Sequence, residues 1–137
     1  MTIGRDEMFA PILVAYPAFA QEYQEFLEDW EKEADKPYYL AILDLVVRLR
    51  ADLADKKTEH FASVFDVVER WLLTGDHYVR EAAIVGFLEG LQQPNQQEST
   101  SRTEFIPFLG PEAKYWWDQV EEFWESGELI RDRRTLP

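Results

Sequence analysis

The sequence contains no cysteine, which excludes a disulfide framework, a thiol nucleophile and any cysteine-ligated zinc or iron–sulfur centre. Histidine is nearly as scarce, and His60 and His77 alone make a poor metal cage. Bases are outnumbered, 14 Lys and Arg against 27 acids, giving a formal net charge of −13 and a pI near 4.5. That field repels nucleic-acid phosphates and anionic lipid, so neither is expected as a direct partner, and it attracts basic proteins. Nowhere do about 18 apolar residues run together, as a membrane span requires. The opening Met1–Glu7 stretch lacks the charged-then-apolar pattern of a secretory signal, so the expected address is the cytoplasm. No glycine-rich phosphate loop occurs.

What remains is rich in core-forming residues. Over 137 residues, 46% are hydrophobic and 15% aromatic, which excludes intrinsic disorder and fits one domain with a real core. The dominant period is helical. After a short opening segment interrupted by Pro11, Pro17 suits a first helical position, and Phe19, Tyr23, Phe26, Leu27 and Trp30 form one stripe on a helix of about 17–34. Tyr39 to Leu53 carries a second stripe. Thr58 can cap a third helix, Gly75 fits just past its end, and Asp76 can cap a fourth that runs to about Leu91. On that helix Ala82, Ala83, Gly86 and Gly90 face one way and Ile84, Phe87, Leu88 and Leu91 the other. A helix apolar on two sides belongs between neighbours, so it is expected at the centre, with its small side in close contact. The polar stretch 92–103 reads as a mobile loop within the domain. Pro111 then begins a last helix to about Ser126, with Gly127 as its stop and a basic, frayed tail beyond. No strand-like alternation appears, so the expected fold is a single all-α domain, 1–137, of five or six antiparallel helices, a bundle or a short HEAT-like stack.

The acidity is concentrated. Residues 22–35 hold seven acids and one base, and residues 112–128 hold six acids and one base, so −11 of the −13 lies there. Solvated helix backs would account for each stretch singly. Like charges nevertheless recur three and four residues apart, as in Glu22/Glu25/Glu28 and Asp118/Glu121/Glu122/Glu125, and each such pair costs a few tenths of a kcal/mol. Tyr115 projects to the acidic side of the last helix, away from an arc of Ala113, Trp116, Trp117, Val120, Phe123 and Trp124. An aromatic beside carboxylates suits an anchor at a protein contact. The expected partner-binding residues are therefore Tyr115, Asp118, Glu121, Glu122 and Glu125, with Glu25 and Glu28 contributing long-range attraction.

Candidate chemistry is thin. Ser63, Ser99, Ser101 and Ser126 lack the setting of an activated nucleophile. Asp76-His77 reads as a helix cap followed by an exposed histidine, and Asp66-x-x-Glu69 is a weak metal signal without a nearby His. Arg80 and Glu89, on the central helix, call for a structural salt bridge. No enzymatic activity, cofactor or metal is expected.

The segment FASVFDVVERWLLTGDHYVREAAIVGFLEGLQ (Phe61 to Gln92), followed by FLGPEAKYWWDQVEEFW (Phe108 to Trp124), resembles a family of small acidic all-α bacterial proteins. Gly75-Asp76, Gly86-Phe87-Leu88-Glu89, Leu109-Gly110-Pro111, Tyr115-Trp116 and Phe123-Trp124 carry the resemblance. Members of that family are found as immunity proteins beside polymorphic or contact-dependent growth-inhibition toxins. The resemblance implies a cytoplasmic inhibitor that binds a cognate toxin, a basic nuclease by charge, and occludes its active site. The alternative is an acidic helical adaptor or scaffold that binds some other basic protein.

Overall fold

The computed structural model describes residues 2–93 and 101–135, and within them the chain is helical, with no strand beyond one isolated bridge between Ile3 and Gly75. Helix α1 (Ala10–Ala15) has Pro11 in its first turn, where the missing N–H costs nothing. Pro17 opens a 3-10 turn, Pro17–Phe19, that runs straight into α2 (Ala20–Asp29). This helix stops five residues short of the expected 34. Prolonging it would place Glu31 and Glu33 at the negative end of the helix dipole, where further carboxylates are disfavoured. Helix α3 (Tyr38–Ala54) follows.

Helix α4 (Phe61–Thr74) begins three residues after Thr58, which therefore does not cap it; the Phe61 N–H is bonded to the Thr58 carbonyl in the preceding turn. Gly75 closes α4, and the Asp76 side chain accepts the Val79 N–H at 2.9 Å to start α5 (His77–Glu81). A Cβ on Gly75 would lie 2.3 Å from the Trp71 carbonyl oxygen, so this turn has room only for glycine. Helix α5 passes without a break into a π-helix, Ala82–Leu88, and then α6 (Glu89–Gln92), forming one central rod.

The rod lies against α3 on its glycine side. A Cβ on Gly86 would come 3.2 Å from Tyr39 and 3.3 Å from Ile42, and one on Gly90 would come 3.3 Å from Val46. Phe87, from the rod's larger side, meets Phe65 of α4 edge-on at 5.5 Å. The rod's C-terminal carbonyls are satisfied from outside the helix: Arg50 donates to Gly90 and Gln93, at 2.6 and 2.8 Å, and Arg102 donates to Gln92 at 3.0 Å.

The expected mobile loop at 92–103 lies, over 94–100, outside the described residues; its two ends are ordered. Gln92 is buried and donates to the Trp117 carbonyl at 2.9 Å, and Ser101 with Glu104 forms a capping box on a 3-10 helix, Arg102–Phe108. Helix α7 (Pro111–Ser126) ends at Gly127, in the left-handed conformation at φ 76°. Ala113, Trp116, Trp117 and Val120 are buried, whereas Phe123 is half-buried and Trp124 is 38% exposed, so only the first three turns of the aromatic arc pack inward.

Among the described residues, helices α1 to α7 all feed one continuous core. Among the described residues no helix is long and apolar enough to cross a membrane, and no three acidic or histidine side chains gather where a metal ion could sit.

Candidate protein-binding surface

Acidic side chains occupy two surfaces, and the chain's own bases treat them differently. On α7, Lys114 pairs with Asp118 at 2.7 Å, and the tail beyond Gly127 folds back over the helix rather than fraying. Arg133 reaches Glu122 at 2.7 Å and also pairs with Glu128, and Arg134 grips Glu112 through two hydrogen bonds of 2.8 and 2.7 Å. Arg134 and the Trp116 indole N–H together hold the Glu112 carboxyl below its ordinary range.

Tyr115 lies under that tail. Arg134 stands 3.9 Å above its ring, and its hydroxyl oxygen accepts the Arg133 backbone N–H at 2.8 Å. The aromatic expected to anchor a partner is thus engaged by the chain itself, and Asp118 and Glu122 are neutralised beside it. Glu121 and Glu125 keep no ion pair among the described residues. The periodicity of α7 does not convey that Arg133 and Arg134 return to cover Tyr115.

The α2–α3 surface is different. Glu22, Glu25 and Asp29 of α2 and Asp44 of α3 line a groove of about 390 Å³ whose remaining walls are Phe26, Trp30, Leu40 and Leu43. The helical spacing of α2 puts Glu22, Glu25 and Asp29 along one edge, and α3 contributes Leu40, Leu43 and Asp44 from the facing edge. Leu40 and Leu43 are 44% and 50% exposed, and Val47, one turn further along α3, is 58% exposed. Of the four carboxylates, only Glu22 is paired among the described residues, with Arg48 at 3.2 Å. Burial, then the neighbouring charges of Glu22, Glu25 and Asp29, raises the Asp44 carboxyl above its ordinary value. Glu25 is therefore part of a built groove, while Glu28 is exposed on α2 outside it. The groove residues Leu40, Leu43 and Asp44 were missed in the sequence. Leu43 reads there as part of the apolar stripe of α3 with Tyr39, Ile42, Val46, Leu49 and Leu53, but it turns out half exposed and faces the groove with Leu40.

Behind the groove, Arg48 ties it to the interior. Its Nε donates to the buried Asp52 at 3.1 Å while Nη1 holds Glu22, and Asp52 also accepts the Tyr16 hydroxyl. This chain of bonds fixes the orientation of Glu22 at the groove's edge.

Other residues singled out in the sequence have structural duties or none. Glu69 of the Asp66-x-x-Glu69 pair caps α7, accepting the N–H groups of Glu112 and Ala113 at 2.8 and 2.9 Å. Among the described residues neither Arg80 nor Glu89 makes the expected salt bridge. Glu89 is instead half-buried, with its carboxyl raised by desolvation. His77 is solvent-exposed and pairs with Glu81 at 3.0 Å.

The architecture is that of an all-α domain that carries an acidic, leucine-lined groove between α2 and α3. The model of the DUF7674 family, a domain of unknown function, matches residues 9–125, and the chain belongs to that family. No curated protein and no solved structure matches it.

Proposed function

We propose that this protein works by binding, not by catalysis, and that it takes a basic segment of a partner protein into the α2–α3 groove. One observation carries the reading: the carboxylates of Glu22, Glu25, Asp29 and Asp44 surround exposed Leu40 and Leu43 in a single groove. A partner segment presenting Arg or Lys beside one or two apolar side chains satisfies both features. A bound cation also relieves the carboxylate repulsion that, after burial, raises Asp44. The net charge of −13 steers a basic partner toward the surface and speeds its encounter.

The sequence resemblance to immunity proteins supports a cognate toxin domain, a basic nuclease, as that partner, met in the cytoplasm and inhibited by occlusion of its active site. The test is co-expression with a basic toxin domain, should a neighbouring gene encode one, scored for growth rescue and co-purification. The parent chain and a Glu121→Lys/Glu125→Lys variant should rescue; a Glu25→Lys/Asp29→Lys variant that still folds should not. Equal rescue by both variants overturns the groove assignment. Co-purification of the parent without rescue favours the adaptor reading instead.

A further inference from the structure

A second cleft, also of about 390 Å³, opens where α5 and the π-helix meet Trp116 of α7 and the returning tail. It has the reverse electrostatics. Arg80 and Arg131 both line it, and neither has an acidic partner among the described residues. Arg5, Arg48, Arg133 and Arg134 each hold a carboxylate, whereas these two guanidiniums face the cleft instead. The Arg80 Nε–H is moreover shielded from water with nothing to bond, and such a donor costs free energy until an acceptor arrives. Glu81, the carboxylate among the lining residues, is held by His77 at 3.0 Å.

The rest of the lining is apolar, chiefly Trp116 and Ile84, both buried behind the cleft surface. The indole orientation is fixed by its N–H bond to Glu112 at 3.2 Å. The wall carrying Ile84 belongs to the π-helical segment, a local widening of the kind often retained at binding sites.

From this juxtaposition we propose that the cleft binds a small monocarboxylate with an apolar body, its carboxylate on Arg80 and Arg131 and its body against Trp116 and Ile84. The volume is within the range of small-molecule sites, about 300–1,000 Å³. A guanidinium offers Nε–H and an Nη–H side by side, the fork that fits a carboxylate's two oxygens. An inorganic anion would leave the apolar wall unused, and a neutral apolar molecule would leave Arg80 unbonded. This site is separate from the α2–α3 groove and does not depend on the function proposed for it.

The probe is 3-phenylpropionate, titrated into the full chain while the Trp116 indole N–H resonance is followed by NMR. Its neutral amide and inorganic phosphate serve as comparisons. Saturable binding of the carboxylate is expected, with the amide and phosphate each at least about tenfold weaker. Arg80→Gln should weaken binding by about tenfold or more, and exposed Arg131→Gln, which leaves the core untouched, by a smaller factor. Equal binding of carboxylate and amide overturns the proposal, as does unchanged affinity in Arg131→Gln together with a folded Arg80→Gln. No shift of the Trp116 signal at about 10 mM probe, well past the millimolar range of weak ligands, overturns it as well.

Discussion

The carboxylate of Glu69 caps helix α7 across the fold because Gly110 has no side chain. Its two oxygens accept the N–H groups of Glu112 and Ala113 at 2.9 Å or less, and a Cβ on Gly110 would stand 2.6 Å from the Glu69 Cδ. Gly110 has φ −74°, open to any residue, so space rather than torsion requires glycine there. Glu69→Gln removes the charge that favours a helix N-terminus and replaces one acceptor by a donor; the expected loss is about 1–2 kcal/mol in urea unfolding. Gly110→Ala should cost a similar amount by pushing the carboxylate away. Because both changes break one interaction, the double variant should lose clearly less than the sum. Full additivity would show that Glu69 is not the cap.

Gly86 tests the packing of the central rod on α3. A methyl group there meets Tyr39 and Ile42 at 3.2 and 3.3 Å, tight but relievable by a small shift, and alanine recovers about 1 kcal/mol of helix propensity. Gly86→Ala should therefore leave the melting temperature nearly unchanged. Gly86→Leu has no such space and should cost about 1–3 kcal/mol through overpacking. Equal melting temperatures for the two variants would mean that α3 does not approach the rod closely.

The features legible in the sequence are those whose cause is local. Gly75-Asp76 joins two helices because Asp76 caps the N–H three residues on, and Gly127 ends α7 because its φ of 76° suits a residue without a side chain. The all-α class, the central rod and its small face follow from periodicity. What escaped depends on partners distant in the chain. Glu69 looked like half of a metal pair because its targets lie more than 40 residues away. Tyr115 looked free because nothing in α7 tells that Arg134 returns to its ring. Arg80 looked like a salt-bridge residue because charge on a buried helix normally demands one, and among the described residues no carboxylate pairs with it, Glu81 being held by His77.

Alkaline pH should weaken the fold through its buried tyrosines. Burial raises the hydroxyls of Tyr23 and Tyr39 to about 12 against an ordinary 10, and moves Tyr38 and Tyr78 in the same direction. Tyr16 is raised further, by burial first and then by donating to Asp52. A folded-state value above the unfolded one means these groups contribute fully below pH 10; the contribution is lost as pH rises through the folded values. Urea midpoints should thus be insensitive to the tyrosines up to about pH 9.5 and fall steadily above pH 10. Tyr16→Phe should make that decline shallower. A decline equally steep in Tyr16→Phe would remove Tyr16 from the set of buried titrating groups.

The tail should be released by acid, because its clasp depends on carboxylates. Arg134 bonds Glu112 and Asp132 and lowers both carboxyls from their ordinary 4.5 and 3.8. Groups depressed in the folded state contribute above those ordinary values, and the contribution is lost as pH falls through and below them. The Arg133 backbone N–H, bonded to the Tyr115 oxygen at 2.8 Å, is a direct reporter of closure. Its hydrogen-exchange protection, corrected for intrinsic rate, should be steady near neutrality and decline below about pH 4, while core amides such as that of Phe65 stay protected. Arg134→Ala should cut Arg133 protection at neutral pH by about tenfold and speed tryptic cleavage after Arg131, because the guanidinium both pairs with Glu112 and covers the Tyr115 ring. Unchanged protection in that variant would mean that the tail is held by Arg133 and its pairs with Glu122 and Glu128 instead.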